Sequence, residues 1–258
     1  MISKTTLEKL YREYNRREFV HPDPLEFLYG YSSPADRELV ALVASSLAYG
    51  RVAQILKSVR KVLDRMGVSP RDYVESHSEA GLLKSLKGFK HRFTTDVEMA
   101  SMLAGARRVI KEHGSLNGFF VSGIASSDRT VLPALEKFTA GIACCGKYLL
   151  PCPERGSACK RLNLFLRWMV RKDNVDPGGW KGVSPAQLVV PLDTHMAKIG
   201  RGLGLTRRNA ADIRMAMEIT DSFRVVSPDD PVKYDFALTR FGIRDDMEMK
   251  TLFEEMRG

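Results

Sequence analysis

Three features of the 258-residue sequence predict an all-α fold. Apolar residues recur at three- and four-residue steps through most of it, apolar/polar alternation is short and rare, and glycine and proline punctuate the periodic blocks. Between Asp36 and Met66 the repeat is clearest: Leu39, Val43 and Leu47, then Val52, Ile55, Leu56, Val59 and Leu63. Gly50 divides two helices there, and Gly67 followed by Pro70 ends the second. Further helices are expected near 3–17, 69–75, 95–112, 115–122, 131–142, 157–171, 194–202, 208–224 and 231–240. Gln187-Leu188-Val189-Val190 is the best strand pattern, and it is too isolated for a sheet. The softest stretches, 143–156 and 173–191, flank the helix at 157–171, where two rigid helical blocks would meet in a cleft.

Charge singles out the same region. From Arg155 to Arg208 there are eleven basic residues against Asp173, Asp176 and Asp193, a local balance of 11 − 3 = +8 in a chain that is formally +9 overall. A basic face of this kind suits a polyanion, because each neutralised phosphate releases condensed counterions. Apolar runs fall short of the ~20 residues needed to span a bilayer. The N-terminus carries no apolar signal segment. A cytoplasmic, nucleoid-associated protein without a membrane partner is therefore expected. Cys144, Cys145, Cys152 and Cys159 cluster within sixteen residues, but they form no C-x-x-C pair and no histidine lies near them in sequence. They read as reduced structural thiols, and neither a metal nor another cofactor is expected.

Inside the basic stretch, Gly156 and Ser157 offer a tight approach and an N-cap to a helix. Ala158, Leu162, Phe165, Leu166 and Met169 form its core-facing stripe, and Lys160, Leu164, Trp168 and Arg171 a neighbouring one. Lys160 sits in the first turn, where the macrodipole disfavours an ammonium and so frees the amine for nucleophilic attack. Its bland alternative is one more solvated phosphate contact. Leu164, one turn on, is placed to line a pocket, whereas Trp168, two turns on, reads as core or wall. Pro191 keeps Val190 extended, and Asp193 opens the next helix as its N-cap. If Asp193 also faces a cleft, its charge stabilises a sugar cation as a glycosidic bond breaks. His195, Lys198 and Arg201 follow at three-residue steps, an edge suited to phosphates.

Gly156-x-Ala158-x-Lys160, a helix, a loop and then Val190-Pro191-Leu192-Asp193-Thr194-His195 resemble the helix-hairpin-helix DNA glycosylases of the Gly/Pro-Asp class, which include endonuclease III and the 8-oxoguanine glycosylases. Glu38 to Ala48 resembles the early helix of their six-helix barrel, and the resemblance covers roughly 36 to 242. With its Arg161-Leu162-Asn163-Leu164-Phe165-Leu166-Arg167-Trp168-Met169-Val170-Arg171 run, the chain is most similar to a bacterial branch known mainly as a domain of unknown function.

The resemblance implies a two-lobed helical fold with the active cleft between lobes. Residues 36–187 would form the barrel-like lobe with the hairpin, and 1–35 with 188–258 the lobe carrying the aspartate. It implies Lys160 as the nucleophile on the deoxyribose anomeric carbon and Asp193 as the carboxylate that assists departure of the base. Gly156, Ser157, Arg161, His195, Lys198 and Arg201 would hold DNA, and Leu164, Tyr234 and Phe236 would line the base pocket. Ala158 stands in place of the second hairpin glycine. The spacing 193 − 160 = 33 is nearer the archaeal 8-oxoguanine branch than endonuclease III, and no cysteine follows Cys159 to hold an iron–sulfur cluster.

Three functions stand against one another at this point. The first is a monomeric base-excision glycosylase, with or without lyase activity, that flips an oxidised purine such as 8-oxoguanine out of duplex DNA. The second is a non-catalytic DNA-binding or structure-recognition protein on the same scaffold. The third, a metal-dependent helical hydrolase using His21-Pro22-Asp23, lacks an H-D dyad or an H-x-x-x-H pair.

Overall fold

The computed structural model describes residues 3–142 and 148–256. The protein is mostly helical. Its helices are α1 (Lys4–Tyr14), α2 (Pro34–Ser46), α3 (Val52–Met66), α4 (Pro70–Ser76), α5 (Glu79–Ser85), α6 (Asp96–His113), α7 (Leu116–Val121), α8 (Leu132–Ile142), α9 (Lys160–Val170), α10 (Thr194–Gly202), α11 (Ile213–Val226), α12 (Asp235–Ile243) and α13 (Met249–Glu255). Two-residue strands β1 (Lys90–His91) and β2 (Thr94–Thr95) pair antiparallel. A 3-10 turn covers Pro24–Gly30.

Local chemistry sets most of these starts. Ser3, Ser33, Ser69, Ser78, Thr95, Ser115, Asp193 and Asp212 each accept a hydrogen bond from a first-turn amide of the helix that follows. Thr95 and Glu98 complete a reciprocal capping box, and proline begins α2 and α4. The helix expected at 157–171 starts later, at Lys160, because Cys159 takes a left-handed conformation (φ 46°) in front of it. Ser157 does not cap α9; its hydroxyl accepts from the Cys159 amide at 3.2 Å and closes the turn instead. Ala158 does not take the left-handed conformation; that geometry falls on its neighbours Gly156 (φ 76°) and Cys159.

The buried apolar side chains form one continuous cluster reaching from Leu7 to Leu252. Within it α2 packs on α9 and on the 24–30 turn, α6 packs on α5, α7 and α8, and α12 packs on α1, α10 and α13. Trp168 is fully buried, as its place on α9 suggested. Leu188 is extended, but residues 188–190 form no strand.

Candidate active site

Lys160, Leu164 and Arg167 share one face of α9, at steps of four and three. Asp235, Thr239, Gly242 and Ile243 share one face of α12. These two faces, the turn at Pro22–Pro24, the α2–α3 link at Ala48–Val52 and the Pro191–His195 segment enclose a cavity of about 270 Å³. Asp193 divides its carboxylate between two tasks. Oδ1 accepts the Met196 amide at 2.8 Å and caps α10, while Oδ2 lies 3.6 Å from Lys160 Nζ. The separation exceeds a hydrogen bond, and the Lys160 side chain keeps 34 % of its surface exposed. An ion pair this open contributes at most ~1 kcal/mol to stability. Lysine and aspartate, 33 residues apart in sequence, thus meet on one wall of the cavity.

The other expected site residues divide. Leu164 lines the same cavity, and His195 lines both this cavity and a shallower depression beside it, which Ser157 and Arg161 also border. His195 fits only because residue 242 is glycine: a Cβ there would come within 2.3 Å of its Nδ1. Lys198 and Arg201 stand exposed on α10, and Gly156 is exposed before α9. Arg161 is tied to the protein's own backbone. It donates to the Ser46 carbonyl at 2.8 Å and to the Tyr148 carbonyl, with its guanidinium 4.9 Å from the Tyr49 ring centre, so it ties α9 to the end of α2.

The aromatic expectations need correction. Tyr234 and Phe236 do not line the cavity. Tyr234 is buried against Tyr11 and Phe223 and donates its hydroxyl to Glu8 at 2.7 Å. Phe236 is buried beneath the guanidinium of Arg240, 4.2 Å from its ring centre, with that of Arg167 at 5.8 Å. Both rings turn into the core, away from the α12 face that Asp235, Thr239, Gly242 and Ile243 present to the cavity.

The basic face is corrected too. Arg167 and Arg171 are buried and neutralised: Arg167 pairs with Asp176 at 3.2 Å and with Asp235, and Arg171 with Asp173 and Asp230 at 2.9 Å and with Asp176. Neither is available to a phosphate. Arg208 is paired with Asp212 at 2.9 Å.

Asp235, Thr239 and Arg240 are cavity residues that the sequence did not reveal, and Asp23, weighed there only as a metal ligand, lines the cavity with them. Asp23 caps the 24–30 turn through the Leu25 amide at 3.0 Å and pairs with Arg240 at 3.1 Å. His21 sits apart, 2.8 Å from Glu26. Burial lifts the Asp235 carboxyl to about 6, against the pull of Arg167. Cys159 is buried, and its thiol is pushed up to about 11, as suits an inert structural group. Cys144 and Cys145 lie outside the described residues. Among the described residues no group of three or more His, Cys, Asp or Glu is arranged to hold a metal ion, and no helix is long and apolar enough to cross a membrane.

Over residues 23–244 the chain matches the family described as "Protein of unknown function (DUF2400)". It belongs to that family. The matched span takes in every residue that lines the cavity except Pro22. No curated protein and no solved structure matches the chain.

Proposed function

We propose that this protein is a DNA base-excision glycosylase acting on a flipped-out damaged base, with an oxidised purine such as 8-oxoguanine the favoured substrate. In this reading α2–α9 form one lobe and α1 with α10–α13 the other, and the cavity between them receives the everted nucleotide. Asp193 stabilises positive charge on the sugar as the bond from C1′ to the base breaks, and the base leaves with the bonding electron pair and takes up a proton. The Lys160 amine gives up a proton and forms the new bond to C1′; the C1′–O4′ bond then breaks, with O4′ taking up a proton, to give the Schiff base from which β-elimination nicks the strand. Ser157 borders the depression beside the cavity and Lys198 and Arg201 are exposed on α10; in this reading they contact the phosphates of a duplex.

One observation carries the reading: Lys160 Nζ and Asp193 Oδ2 stand 3.6 Å apart on a cavity wall, with the amine partly exposed. Borohydride trapping on duplexes bearing single lesions tests it. The expected result is a covalent protein–DNA adduct on at least one oxidised-purine duplex, absent from Lys160→Gln. Salt-sensitive binding with no adduct and no base released from any lesion would instead identify a non-catalytic DNA-binding protein.

A further inference from the structure

Two of the groups that enclose the cavity are buried and incompletely bonded. Asp235 is 2 % exposed; its Oδ2 pairs with Arg167, and its Oδ1 has no hydrogen-bond partner. Arg240 is 1 % exposed; Nη2 donates to Asp23 at 3.1 Å and Nε to the Phe236 carbonyl at 3.4 Å, while Nη1 has no partner. Other described residues with an orphaned buried polar atom (Asn15, Asn163 and Trp168) do not line the cavity. Buried polar atoms are almost always satisfied, so two orphans carried by cavity-lining side chains of one helix point to a ligand that completes them.

The lining says what kind of ligand. Asp23, Asp193 and Asp235 oppose Lys160, Arg167 and Arg240, a formal balance of 3 − 3 = 0. Ala48, Val52, Ile55, Leu164 and Ile243 supply apolar wall. A polyanion gains nothing in such a space, whereas a neutral, flat heterocycle does. The two orphans differ in polarity: a guanidinium nitrogen only donates, and an ionised carboxylate oxygen only accepts. Their joint complement is a carbonyl beside a ring N–H.

We propose that Asp235 and Arg240 are the specificity-determining pair of this cavity and read the lactam edge of a purine base, Arg240 Nη1 donating to the ring carbonyl and Asp235 Oδ1 accepting from the adjacent N–H. The inference rests on the glycosylase reading, and it separates 8-oxoguanine from 8-oxoadenine, which shares the oxidised five-membered ring but carries an amino group and an unprotonated ring nitrogen on that edge.

The test measures single-turnover base release from duplexes carrying either lesion, for wild type, Asp235→Asn and Arg240→Lys. The asparagine replaces an acceptor with an amide, and the lysine keeps a charge for Asp23 while losing the second guanidinium donor. Binding to a duplex with a tetrahydrofuran abasic analogue, which presents no base, reports folding and DNA engagement. The wild type is expected to prefer 8-oxoguanine. Each variant should lose about tenfold or more of that preference, the value of one charge-assisted hydrogen bond, with abasic-analogue binding within about twofold of wild type. If Asp235→Asn does not fold, Arg240→Lys decides alone. Variants that bind the analogue normally and keep the wild-type preference would overturn the inference and leave the glycosylase reading standing. A wild type that releases no base from any lesion duplex overturns both.

Discussion

The two ends of α9 carry basic residues of similar appearance in opposite circumstances. At its first turn Lys160 is partly exposed and faces a single carboxylate at 3.6 Å across a cavity wall. Two and three turns later, Arg167 and Arg171 are buried among Asp173, Asp176, Asp230 and Asp235. The first arrangement adds little to stability and leaves an amine within reach of a ligand. The second joins α9 to α12 and to the loop after it, and removing either partner there strands a buried charge. Positive charge along a sequence therefore reports a binding face only where the fold leaves it uncompensated.

The largest effect should come from the buried end. Arg171→Met is expected to destabilise the protein by about 3–5 kcal/mol, because three carboxylates lose their common partner. Urea denaturation checks this, and a loss below about 1 kcal/mol, the range of an exposed pair, would erase the contrast between the two ends. A middle-sized effect concerns Asp235, which sits between them. Its carboxyl is lifted to about 6 by burial, opposed by Arg167 and assisted by the Asp193 and Asp176 carboxylates. A raised carboxyl pKa favours the folded state while protonated, so this contribution is present at low pH and lost as pH rises through about 6. Function should move the other way: base release rises severalfold as Asp235 ionises near that pH and becomes an acceptor, and Asp235→Asn flattens the limb. The smallest effect belongs to the exposed edge. Lys198→Gln and Arg201→Gln should each lower the salt-dependence slope of duplex binding by about 1, with equal weakening for damaged and undamaged DNA.

The same contrast explains what the sequence could reveal. The start of α10 was legible because its chemistry is local: Asp193 satisfies an amide three residues on. Lys160 and Asp193 were legible as a pair because each opens a helix beside a soft stretch. The 90–95 hairpin was not, since strands of two residues carry no period and the turn depends on Arg92 at φ 51°. Nor does the pattern of residues 24–30, Pro-Leu-Glu-Phe-Leu-Tyr-Gly, distinguish a 3-10 turn from a loop. The partners of Arg167 and Arg171 lie up to 68 residues away, so their burial is a tertiary fact. For the same reason the aromatics of the last helix looked like pocket residues: which face of α12 meets the cavity is set by its packing on α1 and α10.

The most direct measurement is single-turnover release of the free base from an oxidised-purine duplex by wild type and Asp193→Asn. Asparagine caps a helix as well as aspartate does, so α10 stays intact while the charge facing Lys160 disappears. Release by the wild type and a loss of about 100-fold or more in the variant are expected, the scale of removing one electrostatic contact to a transition state. Equal rates for the two proteins, or no base released by either, would rule out a charge on Asp193 that acts in glycosidic bond cleavage.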